Sequence, residues 1–131
     1  MTARGWGRVV NVASIAGLTG AAYVTAYTAA KHGLVGLTRA LSQEVARKGV
    51  TVNAVCPGYV DTAMTDRSVA NIAEKTGMTP EEARAHLSAR SPQGRLMTAE
   101  EVAGLVLYLL TEEARGVNGQ AIALDGGGYI A

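Results

Sequence analysis

The sequence has 131 residues, 48% hydrophobic and 18% charged, which is enough to bury one core and fits a single compact unit over 1–131. Lys+Arg 12 against Asp+Glu 11 gives a net charge of +1 with the basic residues scattered, which excludes the cationic stripe of a nucleic-acid or anionic-membrane binder. A single Cys56 excludes an internal disulfide, Cys56, His32 and His86 offer no metal-ligand spacing, and no run of about 18 apolar residues marks a signal peptide or a membrane span, so a soluble cytoplasmic chain is expected.

The first element is Arg8-Val9-Val10-Asn11-Val12, a β-branched run between Gly7 and Ser14. It predicts a strand buried on both faces, with Ser14 at its C-terminal end and Trp6 packing just before it. From Tyr27 to about Lys48 the residues Leu34, Leu37, Leu41 and Val45 recur at helical spacing, and Gly49 offers a stop. Val50 to Cys56 alternates like a strand and ends at Pro57-Gly58, which completes a β-α-β crossover with parallel strands. Thr79-Pro80-Glu81-Glu82 predicts a capped helix that stops before Pro92. Thr98-Ala99-Glu100-Glu101 repeats the box, and Val102, Val106, Leu109 and Leu110 supply its buried stripe. Ala121 to Leu124 is the last strand, followed by Asp125 and Gly126 to Gly128. The order is that of an α/β fold. Three strands make a doubly wound sheet with open edges, so a truncated chain is expected.

The chemistry concentrates in one constellation. Tyr27 and Lys31 are four apart on one face of the long helix, and Ser14 lies thirteen residues before Tyr27 at a strand end. A phenol, whose pKa is ordinarily about 10, shuttles protons poorly at neutral pH, and a neighbouring ammonium favours its ionised form. A positioned acid or base of this kind contributes roughly 10² to 10⁴ in rate, while a serine hydroxyl polarises a reacting carbonyl oxygen. Tyr-x-x-x-Lys alone arises by chance in about one such chain in ten, and requiring the serine at its distance lowers this to about one in a hundred.

Four motifs in order raise the specificity further: Gly7-Arg8-Val9-Val10-Asn11-Val12-Ala13-Ser14, Tyr27-Thr28-Ala29-Ala30-Lys31, Asn53-Ala54-Val55-Cys56-Pro57-Gly58 and Asp125-Gly126-Gly127. Together they resemble the short-chain dehydrogenase/reductase family over essentially the entire chain. The resemblance implies the C-terminal part of a Rossmann-type doubly wound parallel sheet, with the N-terminal βαβ units missing. It implies a nicotinamide-dependent oxidoreductase, using NAD or NADP, that interconverts a carbonyl and a secondary alcohol. In that reading Tyr27 is the catalytic acid/base, Lys31 tunes it and holds the nicotinamide ribose, and Ser14 orients the substrate oxygen. Pro57, Gly58, Val60 and Thr62 form the loop under the nicotinamide, and 63–94 is the substrate lid. Gly5-Trp6-Gly7-Arg8 and Lys31-His32-Gly33 resemble members acting on 3-oxo and 3-hydroxy acyl compounds. Members associate through the helices matching Tyr27 to Lys48 and Ala99 to Leu110, so a dimer or tetramer is expected.

The departures matter as much. No Gly-x-x-x-Gly-x-Gly follows a first strand, and the family's catalytic asparagine from an upstream helix has no counterpart. Gly5, Gly7 and Gly126 to Gly128 do not substitute, because none joins a strand to a helix N-terminus. The 131 residues by themselves are therefore expected to bind nucleotide weakly and not to turn over. Two other readings stand beside this one. The chain could be a noncatalytic half that serves in folding or dimerisation, or a hydrolase with Ser14 as nucleophile and Lys31 as base, although Ser14 lacks the Gly-x-Ser-x-Gly setting. Asn53 and Asp125 are expected to bond backbone, Cys56 to pack in the core, and His32 and His86 to lie at the surface.

Overall fold

The computed structural model describes residues 1–130. Its elements are β1 (Gly7–Val12), a 3₁₀ turn at Ile15–Gly17, α1 (Thr25–Val45), β2 (Val50–Pro57), α2 (Ala63–Thr76), α3 (Pro80–Ser88), α4 (Ala99–Leu109) and β3 (Ala121–Leu124), with further 3₁₀ turns at Thr2–Arg4 and Ala46–Lys48. The strands form one parallel sheet in the order β1-β2-β3. Val9 pairs with Val52, and Cys56 with Ala123. The expected crossover and the α/β class are both present.

Alternation along β2 builds the two layers. Ala54 and Cys56 point to the α1 face, where Ala13 and Val35 pack on them. Val55 points to the other face, against Leu109 of α4 and Ala114. Successive side chains of a strand face opposite ways, so a central strand sandwiched by helices is apolar throughout. All of β2 is accordingly buried, including the polar Thr51 and Asn53. The Asn53 amide donates to the Val117 carbonyl at 2.8 Å and accepts from the Gln120 amide at 3.0 Å, which removes the penalty of burying it.

Several expectations need correction. β1 is not buried on both faces: Val9 and Val10 are half-buried and Val12 is exposed, because among the described residues β1 is an edge strand with β2 as its one strand neighbour. In α1 the buried residues are Val35, Thr38 and Ser42, and Leu37 of the apolar stripe faces outward. Thr38 and Ser42 tolerate burial because their hydroxyls donate to the carbonyls of Leu34 and Arg39 within the same helix. Trp6 is exposed, not packed: its indole N–H donates to Glu112 at 2.7 Å, and the Arg8 guanidinium sits 5.1 Å from its ring centroid. Leu110 is likewise exposed, as the residue that caps α4.

Both capping boxes are formed. Thr79 and Glu82, and Thr98 and Glu101, exchange side-chain and backbone bonds reciprocally. Helix α2 was not anticipated. It packs with α3 through Val69, Ala83 and Leu87, a small core of their own.

Candidate active site

In a parallel sheet all strands end on the same side, and ligands of open α/β sheets sit in the crevice beyond those ends. Three segments leave that edge here: Ser14 after β1, Gly58 after β2 and Asp125 after β3. Each is locked by local bonds. Ser14 Oγ accepts the Ala16 amide at 3.1 Å and caps the 3₁₀ turn. The Gly58 amide donates to the Leu124 carbonyl at 3.0 Å. Asp125 accepts the Gly127 and Tyr129 amides at 3.1 and 2.7 Å, the turn-anchoring role expected of it.

Because the Ser14 oxygen is the acceptor from Ala16, its own O–H remains a donor. The turn that carries it is pressed on α1 by Gly17. A methyl group there would lie 2.7 Å from the Lys31 carbonyl oxygen and 3.2 Å from Val35, so only glycine permits the approach. This contact fixes the Ser14 segment against the helical turn that bears Tyr27 and Lys31.

Lys31 reaches back to the strand. Its Nζ donates to the Val12 carbonyl at 3.0 Å, two residues before Ser14, and lies 5.5 Å from the Tyr27 ring centroid. No bond joins it to the Ser14 hydroxyl. An ammonium has three donors, so two remain beyond the one given to Val12. Tyr27 is 42% exposed, on the open side of the helix. Beneath them Cys56 is fully buried; burial pushes its thiol up, partly offset by a bond to the Ser14 backbone and by the charges of Arg39 and Lys31. That makes it a packing residue and not a nucleophile.

The segment after β2 is equally constrained. Val60 bridges Met97 in parallel, the Asp61 amide donates to the Met97 carbonyl at 2.8 Å, and the Met97 amide donates to Tyr59 at 2.9 Å. The Val60 carbonyl accepts the Thr65 hydroxyl at 2.5 Å and that of Thr62 at 3.4 Å. Pro57 closes β2 and is buried, whereas Thr62 is exposed at the start of α2. A cleft of about 20 Å³ lies between this loop, Ile15, Arg90, Ser91 and Asp125. Tyr27 is exposed at this edge, and Ser14 and Lys31 beside it are half-buried.

His32 is exposed, its Nδ1–H donating to the Thr28 carbonyl at 3.0 Å, and His86 is exposed on α3. Among the described residues no three His, Cys, Asp or Glu side chains gather as metal ligands, and no helix is long and apolar enough to cross a membrane. The reading of the sequence overlooked the Val12 carbonyl and Gly17. A backbone acceptor has no residue signature, but a glycine three residues after the serine was a visible sign of close packing.

The chain is similar to known proteins over nearly its whole length. A family model described as Enoyl-(Acyl carrier protein) reductase matches residues 1–128. The D-beta-hydroxybutyrate dehydrogenase of Rhizobium meliloti is 41% identical over 128 residues, which is 97% of this chain and 50% of that protein. A 3-oxoacyl-(acyl-carrier-protein) reductase of Pseudomonas aeruginosa is 42% identical over 131 residues, covering 100% of this chain and 49% of that protein. Among solved structures, the F189W actinorhodin polyketide ketoreductase with NADPH superposes with a TM-score of 0.92 at 44% identity, covering 97% of this chain and 49% of that one. The chain thus spans about half the length of the relatives it matches.

Proposed function

The chain belongs to the short-chain dehydrogenase/reductase family of oxidoreductases, and on that premise we propose that it carries the proton-transfer half of an NAD- or NADP-dependent site. That site interconverts a carbonyl and a secondary alcohol. The observation that carries the reading is the Lys31 ammonium, tied to the end of the Ser14 strand and beside the Tyr27 ring.

Each residue has one task. The Tyr27 phenol gives its proton to the carbonyl oxygen during reduction and recovers one during oxidation. The Lys31 ammonium stabilises the negative charge then left on the phenol oxygen. The Ser14 hydroxyl, free to donate, orients the substrate oxygen and supports charge developing on it.

The donor set fits the nicotinamide end of a dinucleotide. Lys31 has unused donors toward the open face, Tyr27 and Thr62 are exposed, and the loop from Pro57 through Gly58 and Val60 to Thr62 is held at the carboxyl edge by Leu124 and Met97. Those residues would hold the nicotinamide and its ribose, and the bound cofactor supplies or accepts the hydride. The described residues contain no glycine-rich turn from a strand into a helix N-terminus for the pyrophosphate. Helices α2 and α3, within 63–94, serve as the lid over the substrate.

The names of the relatives favour a 3-oxo or 3-hydroxy acyl substrate, a reading by analogy within the family. Leu37 on α1 and Leu107 and Tyr108 on α4 are large apolar groups exposed on two helices, which suits assembly into a dimer or tetramer. The test is a fusion in which this chain replaces the matching half of the Rhizobium meliloti relative. Oxidation of NADH or NADPH that depends on an added 3-oxoacyl compound is expected. A folded fusion inert toward both nucleotides with 3-oxoacyl and simple ketone substrates would refute the assignment.

A further inference from the structure

We infer that Arg84 is a positioning residue that docks α2 and α3, as one body, on the loop between Gly58 and Thr62. Arg84 Nη1 donates to Asp66 in the first turn of α2 at 2.9 Å, and Nη2 donates to Asp61 in the loop. One planar fork thus joins three segments: α3 through its own backbone, α2 through Asp66, and the loop through Asp61.

The packing shows why this link matters. α2 and α3 pack chiefly on each other, with Val69, Ala83 and Leu87 forming a core separate from the two that flank the sheet. The pair therefore moves more easily as a unit than either helix moves against the other. Its base is fixed, because Val60 to Asp61 is laddered to Met97 and Thr65 bonds the Val60 carbonyl. Between base and body, Arg84 is the charged connection. Asp61 lies between Val60 and Thr62, so docking the helices and holding that loop become one event. That the loop receives a cofactor rests on the function proposed above; the docking itself does not.

Pairs this exposed contribute modestly and are screened by salt, so the expected effect is local. Hydrogen exchange of the purified 131-residue chain tests it. In Arg84→Gln and in Asp61→Asn, amides of α2 and α3 should exchange together about three- to fivefold faster, with α1 and β2 unchanged. The double variant should add nothing to Arg84→Gln, because that substitution already removes the Arg84 to Asp61 ion pair. Asp66→Asn leaves the loop bond intact, so α3 should keep parental exchange. About 0.5 M salt should shrink the difference between parent and Arg84→Gln. Parental exchange in Arg84→Gln, additive single effects, or acceleration spreading into β2 would overturn the inference. A fusion without nucleotide-dependent turnover would instead count against the function and leave this result standing.

Discussion

The Lys31 ammonium donates to the Val12 carbonyl oxygen at 3.0 Å, so the second turn of α1 and the last residue of β1 are joined by one hydrogen bond. Val12 lies two residues before Ser14 and Lys31 four after Tyr27, and the bond therefore sets the strand that presents the serine against the helix that presents the phenol. Lys31→Met removes both this tether and the charge beside Tyr27. In the active fusion it should lower turnover by roughly 10² and raise the KM for nucleotide, with little loss of thermal stability because the bond is exposed. A change in melting temperature with unaltered kinetics would show that Lys31 is structural alone.

Gly17 and Gly36 make a paired prediction. A Cβ at Gly17 would meet the Lys31 backbone at 2.7 Å, whereas nothing lies within 4 Å of one at Gly36. Gly17→Ala should destabilise by about 1 to 3 kcal/mol through overpacking, and Gly36→Ala, within α1, should stabilise by about 0.5 to 1 kcal/mol. Denaturant titration of the two variants checks both signs at once.

Acid stability has an identifiable contributor. The Arg95 guanidinium, then the Thr98 backbone amide, hold the Glu101 carboxyl down from 4.5 to about 2. A folded value below the unfolded one contributes stability that is complete above about pH 4.5 and is lost as pH falls through 2. Glu101→Gln should thus flatten the stability profile between those values while leaving the direction of other carboxylates' contributions intact. Identical slopes in parent and variant would contradict the assignment of this carboxylate.

The 131-residue chain should show no saturable binding of NADH or NADPH in the low micromolar range by calorimetry. In the proposed site Lys31 and the Pro57 to Thr62 loop would meet only the nicotinamide end, whereas most of a dinucleotide's affinity comes from the adenine, its ribose and the pyrophosphate on a helix N-terminus. Tight binding by these residues alone would mean that they hold a nucleotide site of a different kind.

What the sequence disclosed follows from how local each signal is. Ala121 to Leu124 and the two Thr-x-x-Glu boxes were legible because strand ends and caps are encoded by adjacent residues. Helix α2 was not, since Thr62 makes no capping side-chain bond and Val69 is buried against α3 instead of the sheet. In α1 an apolar pattern pointed to Leu37, yet Thr38 and Ser42 are buried because each satisfies its hydroxyl inside the helix. The Ser14, Tyr27 and Lys31 spacing was readable, while the contacts that arrange it, the Val12 carbonyl and the Gly17 approach, are tertiary and lie outside any spacing rule.

The proposed reaction depends above all on proton transfer by the Tyr27 phenol. Tyr27→Phe removes a single oxygen from a half-open position and leaves the Lys31 to Val12 bond in place. Steady-state turnover of the fusion, measured beside its melting temperature and nucleotide KM, is the most direct test. A fall in kcat of roughly 10² or more is expected, with the other two unchanged. Turnover near that of the parent would contradict it.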